Sequence, residues 1–389
     1  MSASLSIGIA GAGLLGRVCA WRLAREGHRV TLFDADAVGE ASAAWVAAAM
    51  LAPWSEAAHT DEAVFQWGLQ GLAAWPRWLD ELQQDAAATV DLYQQGTLVL
   101  AHEADQGSMR EFQRLLLVRT GADDECVASV DSHFLSSAVP GIRREFRRGL
   151  WLKQEACLDN WQLLDALAQA LHALNVQWQR PVTVTSVDAG RISTALERHD
   201  FDVALDCRGL GARSQWPALR GVRGEIMRVH APEVELSHCI RLMHPRYRLY
   251  IAPRAGQRFV VGATEIESDS DRPVTVRSSL ELLSALYSVH SGFAEASVEL
   301  AVARCRPALP DNLPGIVQGE GCIRVNGLFR HGYLLTPVVV DAVMQLLRGE
   351  SLPEASSALL RPAIAEAVTD PITDRNEPDT QAQRKDHVV

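Results

Sequence analysis

The first apolar run, Leu5 to Ala10, leads directly into Gly11-Ala12-Gly13-Leu14-Leu15-Gly16. A helical apolar pattern continues to Glu26, and a second apolar run, Val30 to Phe33, ends on Asp34. These changes of period predict strand, glycine turn, helix and strand. Residues 39–57 are rich in small side chains, which suits either an alanine-rich helix or a wall on which a flat group lies. Residues 61–84 read as a helix, and the stripe Val64, Trp67, Leu69, Leu72, Trp75, Trp78, Leu79 and Leu82 reads as core. A strand at Gly96–Ala101, an amphipathic helix at Gln106–Arg119 and a helix at 160–174, capped by Asp159 or Asn160, follow. Strands at 176–179, 182–187, 191–196 and Val203–Asp206 then read as the extension of a doubly wound sheet. Cys207 to Arg213 is a second glycine turn, expected to open a helix.

From Gly221 the texture changes to long alternating runs, GVRGEIMRVH, RYRLYIAPR and RFVVGAT. Alternation of this kind predicts an antiparallel sheet with one face covered and one turned to a site. A helix near Val274–Tyr287, a strand near Glu299–Cys305, short β-runs at Gly315–Val317 and Ile323–Asn326, and a last helix at Leu334–Leu347 complete the pattern. Beyond Gly349 the chain turns polar, and from about Asp370 its composition is that of a disordered tail.

Each part of the opening unit has a dinucleotide task. Gly11 permits the tight turn, Gly13 lets the backbone approach a pyrophosphate, and Gly16 lets helix pack closely on strand. The helix N-terminus offers unpaired N–H groups and partial positive charge to phosphate. Asp34, about twenty residues beyond the turn, is placed to accept from a ribose 2′-hydroxyl. NAD and FAD both use such a turn, so this unit alone leaves them open. Two glycine turns so far apart on one sheet are hard to reconcile with an NAD domain alone.

Composition narrows the class. A chain of 389 residues suits two interleaved domains, and the net charge of −11 argues against a nucleic-acid partner. Lysine occurs only at 153 and 385, which leaves arginine to carry the positive charge and little room for Schiff-base chemistry. The cysteines at 19, 126, 157, 207, 239, 305 and 322 form no CxxC pattern, so they read as reduced thiols rather than disulfides or a metal site. No basic residue precedes the first apolar run, and no apolar stretch approaches the roughly 20 residues of a membrane span. The expectation is a soluble, cytoplasmic protein.

Five segments together resemble the D-amino-acid oxidase family of FAD enzymes, and within it the glycine oxidases of bacterial thiamine biosynthesis: GAGLLG with Asp34, AAAMLAP, LYIAPR with FVVGAT, CRPALPDNLPGI, and GLFRHGYLLTP. The resemblance spans residues 7 to about 348 and implies FAD as cofactor. It implies an α/β plus α+β fold. A discontinuous Rossmann-like FAD-binding domain (1–85, 150–220 and 310–350) would accompany a substrate domain on a mainly antiparallel sheet (86–149 and 221–309), with 351–389 as a tail.

By the same likeness Gly11, Ala12, Gly13, Leu14 and Leu15 face the pyrophosphate, with Gly16 behind them, and Asp34 and Ala35 meet the adenosine ribose. Ala43, Ala44, Ala47, Ala48, Ala49 and Met50 line the flavin, Val182 contacts the adenine side, and Cys207 and Gly209 belong to the second turn. Arg330, His331, Gly332, Tyr333, Leu334 and Leu335 lie at the isoalloxazine edge. Tyr250 and Arg306 would hold a substrate carboxylate, with Arg330 in support. An arginine suits that role because its planar fork gives a carboxylate two parallel charge-assisted hydrogen bonds. His331 invites a reading as general base, but its place in the flavin-edge loop speaks against it.

The chain departs from the family in having Ala49 where glycine is usual, Leu328 where histidine is usual, and Cys305 where related sarcosine oxidases attach flavin covalently. The implied reaction is oxidative deamination of glycine or another small amino acid by dioxygen, giving keto acid, ammonia and hydrogen peroxide, with the imine supplied to thiazole synthesis. A secondary-amine oxidase, a quinone-linked dehydrogenase of the same fold, and a non-catalytic FAD-binding partner are the alternatives. Whether the protein is a homo-oligomer stays open.

Overall fold

The computed structural model describes residues 4–243 and 248–364; the tail expected to be disordered from about residue 370 lies outside them. Two large sheets organise the chain. The first has six strands in the order Gly315–Gly319, Cys322–Asn326, Val203–Asp206, Ser6–Ala10, Arg29–Phe33, Gln177–Gln179. All pairings are parallel except the hairpin at Gly315–Asn326. The central strand Ser6–Ala10 is apolar almost throughout because both faces are covered, as parallel sheets require. Helices Leu14–Arg25, Glu62–Ala86, Asn160–Ala173 and Gly332–Leu347 pack with it in one core, which takes in Trp67, Trp75 and Trp78. The tryptophan stripe is therefore core. Trp75 also donates from its indole nitrogen to the carbonyl of Tyr333 at 2.8 Å, tying two of these helices together.

The strands expected at 182–187 and 191–196 do not extend this sheet. Val184–Asp188, Arg191–Thr194 and Arg198–Asp200 form a separate antiparallel sheet of three strands. The cause is their one-sided apolarity. Val187 and Ile192 turn inward to a cluster with Ala10, Phe33, Ala204 and Cys322, while Thr185, Asp188 and Arg191 are exposed. A strand apolar on one face caps a parallel sheet but cannot be inserted in it. The second glycine turn is likewise shorter than expected, since Gly209–Ala212 makes a single 3₁₀ turn and no helix.

The second large sheet has nine strands and is mainly antiparallel. Arg220–His230 pairs with Arg258–Gly262 on one side and with Ser297–Ala308 along its length. The order continues through Arg248–Arg254, Cys239–Met243, Thr97–Leu100, Arg148–Leu152 and Val127–Asp131. Helix Val276–Val289, capped by Thr275, buries Leu282, Leu286 and Val289 against one face. The alanine-rich stretch is not one helix. It breaks into helix Ala43–Val46, strand Met50–Leu51 and helix Pro53–Ala57, because Ala49 is left-handed (φ 50°) and Pro53 starts a new helix. Its strand joins Ala156–Leu158 and Leu92–Tyr93 in a small third sheet. Among the described residues no helix is long and apolar enough to cross a membrane.

Candidate active site

The glycine turn is built by close packing. Gly11 has φ 97°, and a β-carbon there would stand 2.6 Å from the carbonyl oxygen of Cys207 in the second turn. A β-carbon at Gly16 would reach 1.8 Å from the carbonyl of Gly11, so only glycine lets the helix seat on the turn. Gly13 differs. It faces open space, with Ser42 Cβ at 4.0 Å the only atom near a built β-carbon, and it caps helix Leu14–Arg25 without a side-chain bond. The first amides of that helix are thus left for an anion.

Asp34 closes the strand after the helix. Its carboxylate accepts from the backbone N–H of Ala12 and, at 2.7 Å, from that of Asp36. Asp36 in turn accepts from Ala41 at 2.6 Å and Val38 at 3.0 Å; burial raises its pKa, but these backbone donors hold it below the ordinary carboxylate value. Arg17, buried in the first helix, binds the carbonyls of Ala12, Leu164 and Gly39, which locks the turn to its surroundings.

A cavity of about 770 Å³ runs from this turn to the second large sheet. Its wall takes in residues 11–15, Asp34, Ala35, Ala43, Ala44, residues 47–50, Cys207, Gly209 and residues 330–334, with Tyr250 and Arg306 at the far end. Three of the residues expected there stand back from it. Gly16 lies behind the turn, Leu335 is fully buried in the helical core, and Val182 packs toward the small sheet while its N–H donates to the backbone carbonyl of Asp34 at 2.7 Å. Pro181 takes the place on the wall expected of Val182. A cavity of this volume with an uncapped helix N-terminus, a carboxylate at the end of the following strand and an alanine-lined middle suits a flavin dinucleotide.

The far end holds an ionic frame. Glu56, from the helix Pro53–Ala57, is buried and accepts from Arg330 Nη2 at 3.1 Å and from the Tyr250 hydroxyl at 3.2 Å. Arg330 Nη1 reaches Glu265 at 2.7 Å, and Arg248 lies 3.7 Å from Glu56 and 3.9 Å from Glu265. Burial alone would raise the carboxyl of Glu56, but Arg330 and further cationic neighbours outweigh it and hold its pKa at about 2. Burial pushes the Tyr250 phenol up, with Glu56 adding to the shift, so it is a donor and not a phenolate. Burial, reinforced by Arg330 and Arg248, lowers His331 to about 4 despite the opposing pull of Glu56. Its imidazole is neutral at pH 7.

Arg306 differs from its neighbours. It donates from Nη1 to the carbonyl of Thr264 at 3.2 Å, and among the described residues it makes no ion pair. Burial, then Arg330, lowers its pKa to about 10, which leaves it charged at pH 7. Arg330 pairs with both Glu56 and Glu265 and Arg248 lies against both, whereas Arg306 has no carboxylate within ion-pair distance among the described residues. Cys305, one residue earlier, bonds instead to the carbonyl of Ser268 at 3.3 Å, and burial raises its thiol to about 11. It is thus a poor nucleophile.

Sequence reading missed Glu56, Glu265 and Arg248. Glu56 lies inside the small-residue stretch 39–57, but acidic residues near a helix start are common and it gave no signal of its own. Ala49 has a physical explanation: its φ of 50° is one that glycine adopts without strain, which accounts for the glycine usual at that position.

A family model described as FAD dependent oxidoreductase (DAO) matches residues 6–346. A Rhizobium etli oxidoreductase, ThiO, named for thiamine biosynthesis, is 39% identical over 345 residues, which cover 88% of this chain and 97% of that protein. A bifunctional protein ThiO/ThiG of Trichormus variabilis is 24% identical over 355 residues, 87% of this chain but only 52% of the longer protein. Among solved structures, glycine oxidase from Geobacillus kaustophilus superposes with a TM-score of 0.82 at 20% identity, covering 92% of this chain and 98% of that one.

Proposed function

The chain belongs to the DAO family of FAD-dependent oxidoreductases, and from that premise we propose that it deaminates glycine or another small amino acid oxidatively. The observation that carries this reading is Arg306, a guanidinium lining the same cavity as Tyr250, with no carboxylate partner among the described residues. An arginine with no carboxylate partner suits one substrate carboxylate, bound through the arginine fork. The Tyr250 hydroxyl, oriented by Glu56, lies on the same wall.

Bound FAD supplies the two-electron acceptor that the polypeptide lacks. The side chains do the orienting. Residues 11–15 and the helix behind them would hold the pyrophosphate and Asp34 the ribose, while the alanines at 43, 44 and 47–49 leave room for the flavin ring. Arg306 fixes the carboxylate and thereby the direction of the Cα–H bond. His331, neutral and buried, is not needed as a base, because an amine that binds unprotonated loses no proton to the protein. Loss of two hydrogens across the Cα–N bond leaves an imine. Water hydrolyses it to keto acid and ammonia, and dioxygen takes up the two electrons and two protons as hydrogen peroxide. For glycine the keto acid is glyoxylate.

The six-stranded sheet with its helices is assigned to the cofactor and the nine-stranded sheet to the substrate. The ThiO relatives, one of them part of a longer ThiO/ThiG chain, support a role in supplying the imine for thiazole synthesis. All seven cysteines are free, which supports a reducing, cytoplasmic setting. The test is anaerobic addition of glycine to the purified protein, followed by absorbance at the flavin maximum. Bleaching, with recovery and peroxide on admitting air, is the expected result. A flavin that stays oxidised with glycine, alanine and sarcosine alike would overturn the reading.

A further inference from the structure

Arg306 is useful to a substrate only if its guanidinium is held still, and the strand beside it shows how. Arg220–His230 and Ser297–Ala308 pair antiparallel, with Val222 opposite Arg306 and Gly224 opposite Arg304. A β-carbon built at Gly224 would stand 2.3 Å from Nη2, 2.4 Å from Cζ and 2.7 Å from Nη1 of Arg306. Three guanidinium atoms at nearly equal range mean that the plane lies flat over the backbone of Gly224. Gly224 sits inside a regular strand and lacks a positive φ, so conformation does not demand glycine there. Space for the guanidinium does.

The next two contacts fix the edge of the plane. Nη1 donates to the carbonyl of Thr264 at 3.2 Å. Thr264, fully buried, is itself clamped by Glu225, also fully buried. Its hydroxyl accepts from the Glu225 N–H at 3.0 Å and donates to the Glu225 carboxylate at 3.2 Å, while its own N–H donates to the Glu225 carbonyl at 3.2 Å. The other oxygen of Glu225 is held by Arg223 at 2.7 Å. One edge of the fork is thus spent on the protein, and among the described residues Nε and Nη2 have no acceptor.

We propose that Gly224 and Thr264 form a seat that orients Arg306 for the substrate carboxylate, making them positioning residues for specificity toward α-amino acids. This rests on the reading of Arg306 as the carboxylate site. A methyl group at 224 displaces the guanidinium by more than an ångström, enough to lose one of its charge-assisted bonds to a carboxylate, worth about 10- to 100-fold in binding.

The experiment is steady-state oxidation by full-length, flavin-loaded protein carrying Gly224→Ala, Arg306→Ala or both. Gly224→Ala is expected to raise KM about 10- to 100-fold with flavin content unchanged and kcat altered less than about threefold, the pattern of lost ground-state binding. In the Arg306→Ala background the same change should add less than about twofold, because the group it displaces is gone. Thr264→Val should raise KM several-fold and Thr264→Ser should restore it, which keeps the test available if Gly224→Ala does not hold flavin. A KM unchanged by Gly224→Ala, or raised equally in both backgrounds, overturns the seat while Arg306 stands. A KM unchanged by Arg306→Ala removes the carboxylate reading itself, and the seat with it.

Discussion

Glu56 is the strongest test of the ionic frame, because its charge is worth a calculable amount and its loss has a pH signature. The substitution Glu56→Gln keeps shape and volume and removes the charge that Arg330 and, through its hydroxyl, Tyr250 both address. With a carboxyl at about 2 in the folded protein against 4.5 when unperturbed, the charged form gains about 2.5 pKa units, or about 3 kcal/mol at 1.36 kcal/mol per unit. That falls within the roughly 3–5 kcal/mol typical of breaking a buried ion pair from one side. The folded-state value is depressed, so the stabilisation is complete above pH 4.5 and drains away as pH falls toward 2. At pH 3 the linkage relation leaves less than half of it. The assay is equilibrium unfolding in urea of wild type and variant, both flavin-loaded, at pH 7 and at pH 3. The difference between them cancels the other titrating groups. A deficit near 3 kcal/mol at pH 7 that shrinks to about half or less at pH 3 is expected. A deficit that is the same at both pH values, or absent at both, would refute the claim that Arg330 and its companions hold this carboxylate ionised.

Two further substitutions probe the site from opposite sides. On the proposed reading Arg306→Ala would remove two charge-assisted bonds to substrate, worth about 1.5–3 kcal/mol each, so KM should rise about 100-fold or more while the protein stays yellow; a change under threefold in oxygen-uptake assays would count against it. Ala49→Gly relieves a left-handed alanine, a conformation that costs about 1–2 kcal/mol, so melting should move up or stay level; a fall equivalent to about 1 kcal/mol, the usual cost of glycine for alanine, would show that the backbone there is unstrained.

What the sequence determined on its own was whatever is encoded locally. The glycine turn, its flanking strands and helix, Asp34, and the core placement of Trp67, Trp75 and Trp78 were legible because period and turn chemistry act over a few residues. So was the change at Gly221 from helix-covered to alternating strands. The motifs of the last third carried the likeness to a flavoenzyme, which the family match bears out. Three matters were settled only in three dimensions. Strands 184–188 and 191–194 formed a separate layer because burial on one face or both depends on what packs against them, not on their own alternation. Glu56, Glu265 and Arg248 became a frame around Arg330 only when two short helical and strand segments, distant in the chain, met at one end of a cavity. In so arginine-rich a chain, composition singles out no guanidinium, and Arg306 was marked only by its place in the motif CRPALPDNLPGI. Which one lacks a carboxylate, and lies flat on a glycine from the neighbouring strand, is a property of distances, and distances are what folding supplies.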